Sequence, residues 1–215
     1  TLSRILAQPV HRDYLINAKF AGAFIVICAM LFALGFLVMG VGLLAIGIPP
    51  SAEEFLRIVF FLFLSFIYVA FWLNLSIFFS IRFRQAATSA LSGIAVWLFF
   101  TIFYPMIVNL VSKALEPSMM SSPGYIAGYT WLVKALTYLM PNQLFSDITT
   151  TMLVPTVRTL GPLSMEQIYG TIPGPLPLGQ SLMIVWPQIT GLIAATLLCF
   201  VLSYTSFMRK EIRSR

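Results

Sequence analysis

The chain has 215 residues, of which 59% are apolar and only 9% charged, against roughly 45–50% and 25% in a water-soluble domain. So few charges cannot cover the surface of a soluble fold of this length, so the composition excludes a soluble enzyme. The net charge of +6 does not imply nucleic acid, because the basic residues flank apolar runs instead of clustering on one face.

An α-helix needs about 20 apolar residues to cross the hydrocarbon layer, and four segments meet that requirement. They run from Ala21 to about Ile48, from about Ile58 to Ile81, from Thr88 to about Val111, and from Leu182 to Phe207, with no charge in any interior. The expected fold class is therefore all-α, a polytopic helical membrane protein with four transmembrane helices. The chain opens on polar residues and not on Met, so no signal peptide is expected there, as in a processed or truncated polypeptide.

Local punctuation supports these limits. Pro49-Pro50 closes the first span, since proline cannot continue the hydrogen-bond ladder. Ser51 and Glu54 have capping-box spacing, which puts the start of the second helix near Ala52. Pro187 lies near the start of the fourth span, where a kink is expected. Small residues four apart, Ala29 with Ala33, Ser89 with Gly93 and Gly191 with Ala195, suit close helix packing, within a bundle or at a specific dimer face.

Orientation follows from the basic residues. Arg4, Arg12, Lys19, Arg82, Arg84, Arg209, Lys210, Arg213 and Arg215 fall on one side, and Arg57, Lys113, Lys134 and Arg158 on the other. The positive-inside rule then puts both termini and the Arg82–Arg84 turn in the cytoplasm. The loop from about Ser112 to Ser181 is expected outside.

That loop is too long for a simple connection. Trp131 to Met140 has Lys134, Thr137 and Tyr138 on one helical face and Trp131, Leu132, Ala135, Leu136 and Leu139 on the other. After Pro141, the residues Leu144, Phe145, Ile148 and Met152 repeat at helical spacing. Both pieces are expected as short interfacial or re-entrant helices. Ser164 with Gln167 marks a further brief helix closed by Gly170, and Pro173, Pro175 and Pro177 an extended return. The loop is either a gate over a pathway or a cap that shields the bundle.

No catalytic, cofactor or metal site is expected. His11 is the single histidine, Cys28 and Cys199 lie in apolar runs without Cys-x-x-Cys spacing, and no Walker loop occurs. The spans carry neutral polar groups, among them Asn74, Tyr104 and Asn109, which would either line a path or hydrogen-bond between helices. With no intramembrane charge, energy for transport would come from elsewhere.

The first residues read Thr1-Leu2-Ser3-Arg4-Ile5-Leu6-Ala7-Gln8-Pro9-Val10-His11-Arg12, with Lys19 just before the first span. Ser80-Ile81-Arg82-Phe83-Arg84 closes a span as a basic turn, Pro105 falls late in the next, and Phe207-Met208-Arg209-Lys210-Glu211-Ile212-Arg213 ends the chain. This pattern resembles the permeases of ABC-2-type transporters. The resemblance implies an exporter half coupled to a separate ATP-binding cassette subunit, which would hold the ATP and Mg. It implies a second permease half, as a homo- or heterodimer, and a place among the lipids of the plasma or inner membrane. By the same resemblance Leu2 to Val10, with Leu2, Arg4, Leu6, Gln8, Pro9 and Val10, would form a coupling segment. Arg12, Arg82 and Arg84 would meet the ATPase or acidic headgroups. Family members commonly have two helices before this segment, so those are expected upstream or on another chain. The competing reading is a structural transmembrane subunit of a larger, for example energy-transducing, complex.

Overall fold

A computed structural model of the chain describes residues 12–116, 123–154 and 176–209. Seven α-helices and one π-helical turn follow one another there, and no strand occurs among the described residues. They are α1 (Arg12–Ile46), α2 (Ala52–Arg82), α3 (Ala86–Leu98), the π turn (Phe99–Phe103), α4 (Tyr104–Ala114), α5 (Pro123–Tyr138), α6 (Pro141–Leu153) and α7 (Leu178–Met208). Four stretches are long and apolar enough to cross a membrane: Ile16–Ile46, Ala52–Arg82, Ala86–Ala114 and Leu178–Met208. The third joins α3, the π turn and α4 into one span. The chain is an all-α polytopic membrane protein.

The helix ends follow from local chemistry. In α1, the chain leaves the helix at Ile46, before the two prolines. Gly47 takes φ 75° and donates its N–H to Leu43 O at 2.8 Å, a left-handed closure that glycine makes without steric cost. At the start of α2 both arms of the capping box form: Ser51 N–H donates to Glu54 Oε2 at 2.7 Å and Glu54 N–H to Ser51 Oγ at 3.3 Å. The π turn also has a sequence cause. Pro105 has no N–H to offer Thr101 O, and the ladder widens so that Tyr104 N–H reaches back five residues to Phe99 O.

The core is built from three helices, α2, α6 and α7. Leu64 of α2, Ile148 and Met152 of α6, and Val185, Ile189 and Leu192 of α7 pack as one buried cluster. Arg57 meets Ser181 and Asn74 meets Ser203, so α2 and α7 run parallel. By contrast α1 is apolar all round, and its most apolar window has nothing buried against the rest of the fold, as suits a helix that turns much of its surface away from the bundle.

Helices α5 and α6 form a re-entrant hairpin. Tyr125 donates to Leu115 O, Tyr129 to Ser112 O and Tyr104 to Leu136 O, which lays α5 antiparallel along α4. The turn at Leu139 and Met140 reverses the chain, and α6 climbs back between α2 and α7. Near that turn, Asn142 meets Tyr68, about 25 Å along α2 from Ser51 at 1.5 Å per residue. The hairpin therefore reaches roughly halfway along a span.

The hairpin departs from the sequence expectation in one respect. Helix α5 starts at Pro123, eight residues before Trp131. On its apolar face Leu132 and Leu136 are half-buried, whereas Trp131, Ala135 and Leu139 are exposed. The apolar surface of a membrane helix need not point at protein. The brief helix expected at Ser164–Gly170, with Pro173 and Pro175, lies outside the described residues.

Candidate functional site

The strongest polar constellation sits where α2, α6 and α7 converge. Arg57, one turn into α2, is only 5% exposed. Its guanidinium donates to Met152 O at 3.2 Å, to Ser181 Oγ at 3.2 Å, to Glu53 Oε1 at 2.9 Å, and to Leu176 O. One planar fork thus holds the last turn of α6, the first turn of α7 and the strand of chain leading into α7, a task suited to the five fixed donors of arginine. Glu53 Oε1 also accepts the Leu178 N–H at 2.9 Å. Pro177, the residue before α7, makes no side-chain cap. The carboxylate of α2 therefore caps α7 from outside and lies at the positive end of its dipole.

A second constellation fixes the hairpin tip. Asn142 Nδ2 donates to Thr101 Oγ1 at 2.6 Å, and Asn142 Oδ1 accepts from the Tyr68 hydroxyl at 2.8 Å. One amide therefore joins α6 to α2 and to the π turn of the third span. The Tyr68 and Phe145 rings stack beside it with centroids 4.3 Å apart and planes 10° apart. Because Thr101 belongs to the π turn, Pro105 helps set where this bond forms.

The residues singled out from the sequence are scattered. Asn74 is 1% exposed. Its carbonyl accepts the Ser203 hydroxyl at 2.8 Å, while its side-chain Oδ1 has no partner among the described residues. Tyr104 ties α4 to α5 through Leu136 O, and Asn109 lies exposed further along α4. These three do not share one cavity wall. Arg82 and Arg84 flank the exposed turn between α2 and α3. Arg12 opens α1, and Leu2, Arg4, Leu6, Gln8, Pro9 and Val10 lie outside the described residues. Gly191 lies against Leu144 of α6, with space for a Cβ at 3.6 Å, whereas Gly93 faces open space.

Arg57 and Asn142 escaped sequence reasoning. Arg57 looks like an ordinary flanking charge, and only its i,i+4 spacing from Glu53 hints at a pair. Asn142 follows a helix-starting proline and reads as a local cap. Both Cys28 and Cys199 are free thiols. Among the described residues no group of three or more His, Cys, Asp or Glu side chains is placed to hold a metal ion.

No curated protein and no solved structure gives a match. One family model, described as ABC-2 family transporter protein, matches residues 1–212. A match over nearly the whole length, on a four-span all-α membrane fold, places this chain in the ABC-2 family of transporter permeases.

Proposed function

We propose that the chain is the permease subunit of an ATP-driven exporter, working with a separate ATP-binding cassette protein. Membership of the family implies a cassette partner. The observation that carries the rest is the extent of the match, which starts in the cytoplasmic-type segment at residue 1 and runs to residue 212. In this reading both ends of the sequence face the cytoplasm, and Leu2 to Val10 forms the coupling segment. Arg4, Arg12 and Arg82 present positive charge to the cassette, which binds ATP and Mg, while Arg84 faces acidic headgroups. A second permease half packs against apolar surface left exposed on α1, and the path opens between the halves.

The hairpin supplies the gate. ATP-driven closure of the cassettes rocks the cytoplasmic ends of the spans. Helix α6, held to α2 and α7 at Arg57 and to the third span at Asn142, moves with them as a wedge. A pathway wall that includes Asn74, Tyr104 and Asn109 then requires a state in which these groups turn toward the dimer axis.

The test is purification of the full-length protein from its native membrane, mass spectrometry of the proteins that travel with it, and ATPase assay of the complex in vesicles. A cassette ATPase whose turnover changes on assembly, and changes back when Arg4 and Arg12 are both replaced by Glu, supports the reading. Co-purification with a membrane complex that has no ATPase would instead make the chain a structural subunit.

A further inference from the structure

At the end of the bundle opposite Arg57, the short turn that joins α2 to α3 leads into a groove of about 540 Å³ between the two helices. Its mouth is formed by Arg84, Gln85 and Ser80, and its walls farther in by Trp72, Gly93 and Trp97. The groove is open, since a Cβ built on Gly93 meets nothing within 4 Å. From Gln85 to Trp97 it follows α3 for about 18 Å, at 1.5 Å per residue. That is close to the thickness of one hydrocarbon leaflet, about 15 Å.

We propose that this groove is a binding site for one anionic phospholipid, its phosphate at Arg84 and one acyl chain along α3 between the two tryptophans. The polarity gradient is that of a lipid, with a cation and amides at the mouth and aromatic or aliphatic surface inside. Charge complementarity selects the anionic headgroup. Lys19, Arg82, Arg84 and Arg209 all lie at this end against one acidic position, Asp13 in the first turn of α1, whereas Glu53, Glu54, Glu116 and Asp147 lie elsewhere in the fold. Arg84 takes part in no ion pair among the described residues, which leaves its fork open to a phosphate. Gln85 precedes α3 without giving its side chain to a first-turn N–H, so the positive end of that helix dipole faces the same mouth. The site requires only that the chain lie in a bilayer and does not rest on export or on the cassette partner.

The experiment uses the full-length protein in phosphatidylcholine vesicles, with exposed Trp131 and Trp186 replaced by Phe so that Trp72 and Trp97 report. Acyl-brominated phosphatidylglycerol is compared with acyl-brominated phosphatidylcholine at the same low mole fraction. The expected result is stronger quenching by the anionic lipid. Arg84→Gln should weaken its apparent enrichment about fivefold, as expected for one basic side chain at an anionic surface, while Arg84→Lys retains most of it and Arg209→Gln leaves it unchanged. Equal quenching by the two lipids, or an excess that survives Arg84→Gln, would overturn the site. So would an equal loss in Arg209→Gln, which would reduce the effect to general surface charge. Cancellation by inorganic phosphate, but not by sodium chloride of equal ionic strength, would show a phosphate-ion site and overturn the lipid assignment.

Discussion

The guanidinium of Arg57 donates to the main-chain oxygen of Met152 at 3.2 Å, across 95 residues of sequence. A full charge buried near one end of a span is costly unless every neighbour answers it. Here a carboxylate, a hydroxyl and two carbonyls do so.

Arg57→Ala should therefore cost about 2 kcal/mol, because two carbonyls and a hydroxyl lose their donor at a largely buried position. Arg57→Lys should recover only part of this, since an ammonium lacks the planar fork. Glu53→Gln should cost less, about 0.5–1 kcal/mol, because half of that side chain is exposed and the pair is partly solvated. The midpoint of unfolding in mixed micelles ranks the three variants. An Arg57→Ala protein as stable as Glu53→Gln would show that Arg57 is not the clamp.

The amide of Asn142 predicts a different pattern. Tyr68→Phe and Thr101→Val should each cost about 0.6 kcal/mol, the average for hydrogen bonds between membrane helices. In an Asn142→Leu background neither substitution should have a further effect. A double-mutant cycle reads this coupling, and additive losses would argue against a shared amide.

Packing of α1 on α2 supplies a third prediction. A Cβ built on Gly35 would approach Leu62 Cδ2 to 2.5 Å, whereas Gly40 and Gly42 face open space. Gly35→Ile should destabilise by about 1–3 kcal/mol through overpacking, and Leu62→Ala should restore part of the loss. The same change at Gly40 should be nearly silent. The unfolding midpoints of these variants check both statements.

Particular residues show how much the sequence disclosed. The four spans were legible because lipid imposes length and apolarity on each helix by itself. The Ser51–Glu54 capping box was legible because its partners are three residues apart. Helix α6 could be read from Leu144, Ile148 and Met152, since it packs on protein and keeps a one-sided pattern. Helix α5 was read only in part because much of its surface is apolar without being packed, so periodicity says little there. Gly47 ended α1 ahead of the prolines because a left-handed residue closes a helix as firmly as a missing donor does. Arg57 and Asn142 were not legible as sites, since each gains its meaning from partners that only the tertiary fold brings near. Pro105 was visible as part of the family resemblance, but its role in widening the ladder at Thr101 required the backbone.

If this chain is the permease of an ATP-driven exporter, ATP turnover in a cassette partner is coupled to it. The most direct measurement is the ATPase rate of the native complex in vesicles, compared between the wild-type protein and Arg57→Ala stabilised by a compensating lipid or detergent. The variant complex should still assemble, but its turnover should no longer respond to the permease, because the hairpin is detached from α2 and α7. A complex with no ATPase, or one whose turnover is indifferent to both Arg57 and the Leu2–Val10 segment, would contradict it.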